Sequence, residues 1–126
     1  MQPDTFRLRI SAFLGLAAIV LGSMGAHGKV HDALVKVGAL ENWQTAVDYH
    51  LPHAIFLFAL AFVISHGGKV ASAAWNCLLL GLLLFSGSLY LHGLTQIRWL
   101  VYVTPVGGLA LIIGWALLLF SPWKRA

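Results

Sequence analysis

Long stretches without a charged side chain limit what this chain can fold into. No charged side chain occurs from Ile10 to Ala26, from Val70 to Ile97, or from Trp99 to Trp123. A helix of about 20 apolar residues crosses a hydrocarbon layer ~30 Å thick, so each stretch has the length of a membrane span. A water-soluble domain is excluded by composition. Hydrophobic residues make up 60% of the 126 and charged residues 10%, too few to hydrate the surface of so small a globule.

A fourth span is harder to place. The uninterrupted apolar run from Ala54 to Ile64 is too short by itself. Extending it back to Trp43 gives enough length but admits Gln44, Asp48, His50, Pro52 and His53. Counting it as a span predicts an all-α membrane protein, with helices over about 8–26, 43–65, 71–94 and 100–120 in one domain, 1–126. Arg7 and Arg9 ahead of an apolar run ending in Gly22, Ser23, Gly25 and Ala26 have the look of a signal peptide. The run is near the long limit for one and is read as a retained first helix.

Short connections make neighbouring helices antiparallel, which gives an up-down-up-down bundle. His66-Gly67-Gly68-Lys69 is a tight turn, its glycines free to take positive φ. The first connection has more substance. Val30, Ala33, Leu34 and Val37 recur at helical spacing, with Lys29, Asp32 and Lys36 largely elsewhere on the wheel. That predicts a short helix lying at the membrane interface, with an Asp32–Lys36 pair one turn apart. Arg7, Arg9, Lys69, Lys124 and Arg125 fall on one side, against Lys29, Lys36 and Arg98 on the other, which favours cytoplasmic termini.

The net charge of +4 is not a nucleic-acid signature, because the basic residues sit at span ends and form no stripe. Their expected partners are lipid headgroups. Cys77 is alone, so no disulfide forms within the chain. Lipid tails are as apolar as leucine, so helices in a bilayer associate through close approach at small residues. Ser11, Gly15, Ala18, Gly22 and Gly25 form such a stripe on the first helix. Ala74, Cys77, Gly81 and Ser88 form a looser one on the third, and Gly107, Ala110 and Gly114 another on the fourth. Packing within the chain is the main expectation, and self-association is compatible with it.

Polar residues gather in one half of this bundle. His27, His31, His50 and His92 fall there, with His53 deeper, and Gln44, Asp48, Tyr49, Tyr90, Tyr102 and Thr104 share that half. Pro52 and Pro105 each free a carbonyl nearby, those of Asp48 and Val101. His50 and His53 are three apart and can face one ligand, and with His27 or His92 they could hold a metal or haem. Loose ligand spacing and the lack of an accompanying Cys or carboxylate pair argue against that, so no cofactor is expected. The competing reading has His53 bonded to a neighbouring helix and His50 and His92 at headgroup depth, with Asp48 bonding water, Gln44 or Arg98. Ser86-Gly87-Ser88 lies within a helix and is not the strained elbow of a serine hydrolase.

Four motifs taken together resemble one family. They are Gly22-Ser23-Met24-Gly25-Ala26-His27-Gly28, Trp43-Gln44-Thr45-Ala46-Val47-Asp48-Tyr49-His50 with His53-Ala54, Phe85-Ser86-Gly87-Ser88-Leu89-Tyr90-Leu91, and Thr104-Pro105-Val106-Gly107-Gly108 continuing to Gly114-Trp115. Their order and spacing resemble the domain of unknown function 423 (YgdD-like) family over nearly the whole chain. The resemblance implies a four-span protein of the bacterial inner membrane with no established activity. It points to His27, Gln44, Tyr49, His53, Ser86, Ser88, Tyr90, Thr104 and Pro105 as shared positions. Leu51-Pro52 and His92 depart from its pattern.

The first functional expectation is a non-enzymatic accessory, assembly or structural component that packs against itself or a larger membrane complex. The alternative is a protein that binds or transports a small ligand, lipid, proton or metal in a polar pocket. That pocket would draw on His27, Gln44, Asp48, Tyr49, His50, His53, Ser86, Ser88, Tyr90 and Thr104, with His27, His50 and His53 as the metal candidates. An enzyme is not expected, for lack of a catalytic constellation.

Overall fold

The structure, a computed structural model, describes residues 3–125, and every regular element among them is helical. The helices are α1 (Thr5–Ala26), α2 (Lys29–Lys36), α3 (Leu40–Val63), α4 (Gly68–Thr95) and α5 (Leu100–Leu119), with a 3-10 turn at Ile64–Gly67. Three stretches are long and apolar enough to cross a membrane: Thr5–Ala26, Leu40–Thr95 and Leu100–Leu119. The middle stretch of 56 residues is not one rod, because the chain reverses between Ile64 and Gly68. Gly68 takes φ +67° there, a conformation costly for any residue with a Cβ.

Local chemistry sets the helix ends. α1 starts where the Asp4 carboxylate accepts the Arg7 backbone N–H at 3.1 Å. That bond and the Arg7 guanidinium hold the Asp4 carboxyl below its usual pKa. α1 ends at an extended His27, and Gly28 at φ +92° turns the chain into α2. α4 stops at Gln96, which adopts the left-handed conformation at φ +56°. Its N–H bonds the His92 carbonyl at 2.8 Å and its side-chain amide bonds the Gly93 carbonyl at 2.7 Å. Pro52 lies inside α3 and Pro105 inside α5 without breaking either helix.

Cross-helix bonds fix the arrangement. Trp43 Nε1 donates to the Leu21 carbonyl (2.9 Å) and Asp4 N to the Ala61 carbonyl (3.4 Å), so α1 runs antiparallel to α3. Trp75 Nε1 reaches the Leu57 carbonyl (3.0 Å) and Ser86 Oγ the Ala46 carbonyl (2.8 Å), which sets α4 antiparallel to α3. Cys77 Sγ bonds the Ala110 carbonyl (3.2 Å), and α5 runs back along α4. The α3–α4 hairpin is the middle of the molecule, with α1 packed chiefly on α3 and α5 chiefly on α4. The turn at Ile64–Gly67, the start of α1 and the chain after α5 share one end, where Lys124 N bonds the His66 carbonyl at 2.7 Å.

The outside is apolar. Phe13, Leu16, Ile19, Leu109, Ile112, Leu119 and Phe120 are exposed, while the core holds Leu57, Leu78, Leu82 and the indoles of Trp43 and Trp75. A surface of this kind is suited to lipid. α2 forms as a short helix, but of the apolar positions read from its sequence only Leu34 is buried and Val30 half-buried, while Ala33 and Val37 are exposed, as are Lys29, Asp32 and Lys36. The Asp32–Lys36 pair does not form, although both side chains are exposed one turn apart. The only ion pair among the described residues joins Arg7 and Asp4 at 2.7 Å.

Candidate functional site

The polar half of the sequence folds into four separate places rather than one pocket. The first lies between α1, α3 and α4. His50, 5% exposed, sits on α3 with its Nδ1 2.9 Å from the Tyr90 hydroxyl of α4. A consistent assignment has the phenol donating to Nδ1, which leaves the proton on Nε2. That nitrogen makes no bond of good geometry and faces the Leu14 carbonyl of α1. Tyr90 also meets the Trp43 ring edge-on, with centroids 4.8 Å apart. Trp43 is seated against Gly25, where an added Cβ would lie within 2.5 Å of the indole nitrogen.

The second place faces α5. Trp115 Nε1 donates to His53 Nε2 at 3.1 Å, and an indole nitrogen can only donate. His53 is therefore neutral with its proton on Nδ1, which bonds the Tyr49 carbonyl at 2.8 Å. Tyr49 packs on Phe85 and stacks at longer range on His53. These groups form one wall of an open groove of about 690 Å³ between α3, α4 and α5, completed by Pro105, Gly108, Leu109, Leu111 and Ile112.

Two smaller arrangements remain. Ser88 and Thr104 share a hydrogen bond across α4 and α5, while Ser86 is used against α3 as described above. Gln44 and Asp48 border a cavity of about 310 Å³ with Gly22, Gly25 and Ala26 of α1. Asp48 bonds neither Gln44 nor Arg98, two of the three partners expected from sequence, and is exposed on the flank of α3. His27 is exposed at the end of α1, and His31 bonds the Gly25 carbonyl at 2.8 Å.

His27, His50 and His53 thus do not converge. His50 faces α1 and α4, His53 faces α5, and both ring nitrogens of His53 are already engaged. Among the described residues no three His, Cys, Asp or Glu side chains are placed to hold a metal ion. The ten candidate residues are near one another in sequence pattern but are divided between the end of α1 (His27), different faces of α3 and α4, and α5 (Thr104).

Several contributors were not singled out from sequence. Trp43, Trp75 and Trp115 each donate an indole N–H to another helix, and Arg7 joins α1 to α4. Its guanidinium bonds Asn76 at 3.1 Å and lies 5.0 Å from the centre of the Trp75 ring. A signal existed for Trp43, which stands in the first turn of α3 opposite the glycines ending α1. Nothing local pairs Trp115 with His53, which are 62 residues apart.

Comparison with known proteins adds a family. Residues 21–108 match the model of a family described as protein of unknown function, DUF423. The UPF0382 membrane protein YwdK of Bacillus subtilis (strain 168) is 40% identical over 121 residues, covering 91% of this chain and 94% of the relative. The UPF0382 inner membrane protein YgdD of Escherichia coli (strain K12) is 38% identical over 119 residues, covering 90% and 86%. A UPF0382 membrane protein of Haemophilus influenzae is 33% identical, with 93% of each chain covered. No solved structure matches.

Proposed function

Because the chain belongs to the DUF423 family of membrane proteins, we propose that it is a four-span, non-enzymatic component of a bacterial inner membrane. In this reading α1, α3, α4 and α5 each cross the bilayer, α2 lies in the interface, and both termini are cytoplasmic. The lengths agree: at 1.5 Å per residue, α3 and α4 each exceed the ~30 Å of the hydrocarbon layer. The end bearing Arg7, Arg9, Lys69, Lys124 and Arg125 carries the larger positive charge, which supports its cytoplasmic placement. Trp99 and Tyr102 at one end and Trp123 at the other are exposed, at levels where interfacial aromatics anchor a span.

One observation carries the non-enzymatic reading. The buried polar side chains bond backbone or one another: Ser11 to Arg7 within α1, and between helices Trp43 to Leu21, His50 to Tyr90, Trp75 to Leu57, Ser86 to Ala46 and Ser88 to Thr104. A reacting centre needs convergent polar groups aimed at a space where substrate sits. Here such groups face carbonyls and one another. The product of this design is a rigid apolar-surfaced unit suited to packing within a membrane assembly.

Native mass spectrometry from lipid nanodiscs tests the role. The expected result is a fixed-stoichiometry assembly, with itself or with another membrane protein, and a lone monomer overturns it. Reporter fusions at the two termini test the topology, and ends on opposite sides of the membrane overturn the four-span arrangement. The groove beside Trp115 favours a second reading, in which the protein binds an amphiphile.

A further inference from the structure

The groove between α3, α4 and α5 opens onto the lipid-facing surface rather than onto water. Ile112 and Leu109 on its rim are 67% and 57% exposed, and its lining is apolar apart from Tyr49 and His53. Both nitrogens of His53 are committed, to the Tyr49 carbonyl and the Trp115 indole. A small polar ligand would therefore find almost nothing to bond. An apolar opening continuous with a lipid-facing surface is filled by the apolar solvent of that surface, an acyl chain.

The rim then leads to a charge. Tyr102, Pro105, Leu109 and Ile112 are spaced three, four and three apart, so they form one stripe along α5. Four positions before Tyr102 stands Arg98. The winding there is of the 3-10 kind, with Val101 N bonding the Arg98 carbonyl and Tyr102 N the Trp99 carbonyl, so Arg98 stands one turn before Val101, and Pro105 follows Val101 by one α-helical turn. Arg98 is exposed and forms no ion pair among the described residues, and it lies at the positive end of the α5 dipole. The depth fits as well. Pro105, at the top of the groove, lies seven residues and so about 10 Å below Arg98, a depth at which the acyl chain of a phospholipid held there already runs.

We propose that the groove holds one acyl chain of a glycerophospholipid whose phosphate is bound by Arg98. A guanidinium suits phosphate because its N–H groups pair with two oxygens at once. The proposal rests on the four-span reading, which puts Arg98 at headgroup depth and the groove below it.

The test uses the full-length protein purified in mild detergent and analysed by native mass spectrometry for retained phospholipid. Wild type is expected to carry one phospholipid per chain. Gly108→Leu and Ile112→Trp plug the groove from two positions. A Cβ at Gly108 meets only the Phe85 ring, at 3.6 and 3.8 Å, so the first atom of the new side chain fits without moving a helix. Each plug is expected to lower retention about tenfold, and Arg98→Gln to lower it severalfold while abolishing any preference for phosphatidylglycerol over phosphatidylcholine. Thermal unfolding of each variant shows whether it is folded, and a folded plug of either kind decides the matter. Equal lipid retention by wild type and a folded plug variant overturns the proposal. So does a dimer that both plugs dissolve, which would make the occupant a second copy. If the lipid result is negative while both termini map to the same side, the lipid site fails and the four-span reading stands. Termini on opposite sides overturn that reading and this proposal with it.

Discussion

The joint between α1 and α3 and the joint between α4 and α5 solve one problem in two ways. Between α4 and α5 the backbones touch. A Cβ on Gly81 would lie 2.8 Å from Leu111 N and 2.9 Å from the Gly107 carbonyl oxygen, and one on Gly114 would press into Leu78. Between α1 and α3 a large side chain fills the gap instead. Trp43 fits the notch left by Gly25 and anchors itself on the Leu21 carbonyl. The first joint tolerates almost no added atom, because its neighbours are backbone. The second depends on one indole, and its own glycines vary in importance: Gly15 has no heavy atom of another element within 4 Å of an added Cβ.

That difference can be broken in order of effect. Gly107→Leu drives a side chain into the α4 backbone at Leu84 and Phe85, and is expected to cost about 4 kcal/mol or more or to prevent folding. Retention of a wild-type unfolding midpoint in detergent would contradict a backbone-to-backbone joint. Trp43→Ala empties the α1–α3 notch and is expected to cost about 3 kcal/mol by lost packing. Gly25→Ala sharpens the same point, since its methyl group meets a rigid indole and should cost about 1–3 kcal/mol. Combined with Trp43→Phe, much of that cost should vanish, and simple additivity in a double-mutant cycle would show that the two do not touch.

Smaller effects follow for the polar contacts. Tyr90→Phe removes the bond to His50 and is expected to lower stability by about 0.6–1.7 kcal/mol, as for other hydrogen bonds within membranes. Asp4 gives the least. Its folded carboxyl titrates below the ordinary aspartate value because the Arg7 N–H and guanidinium favour the charged form. Its capping contribution is therefore full above about pH 4 and fades as the pH falls through the lowered folded value. Asp4 is largely in contact with solvent, so the effect is small, and Asp4→Asn should flatten it in an acid titration of the unfolding midpoint.

Much of this architecture is written locally. The charge-free runs mark the helices because a hydrocarbon layer tolerates few charges, and the small-residue stripes mark faces of close approach. Gly81, Gly107 and Gly114 were legible as packing positions for that reason. The candidate site was legible only as composition. His50 and His53, three residues apart, share a side on a helical wheel, yet one bonds Tyr90 and the other Trp115. A wheel gives an angle of about 60° between them but not which neighbour lies on either side of the division. The Arg7–Asn76–Trp75 contact was invisible for the same reason, since it joins helices far apart in the chain.

Sequence by itself determined that lipid is the solvent and that glycine and serine stripes are the meeting faces, because hydropathy and residue size are properties of single positions. Tertiary structure decided which helix each stripe meets, which carbonyl each indole and imidazole takes, and that a groove remains beside Trp115. Those outcomes depend on the directions of side chains from several helices at once, and no local pattern specifies them.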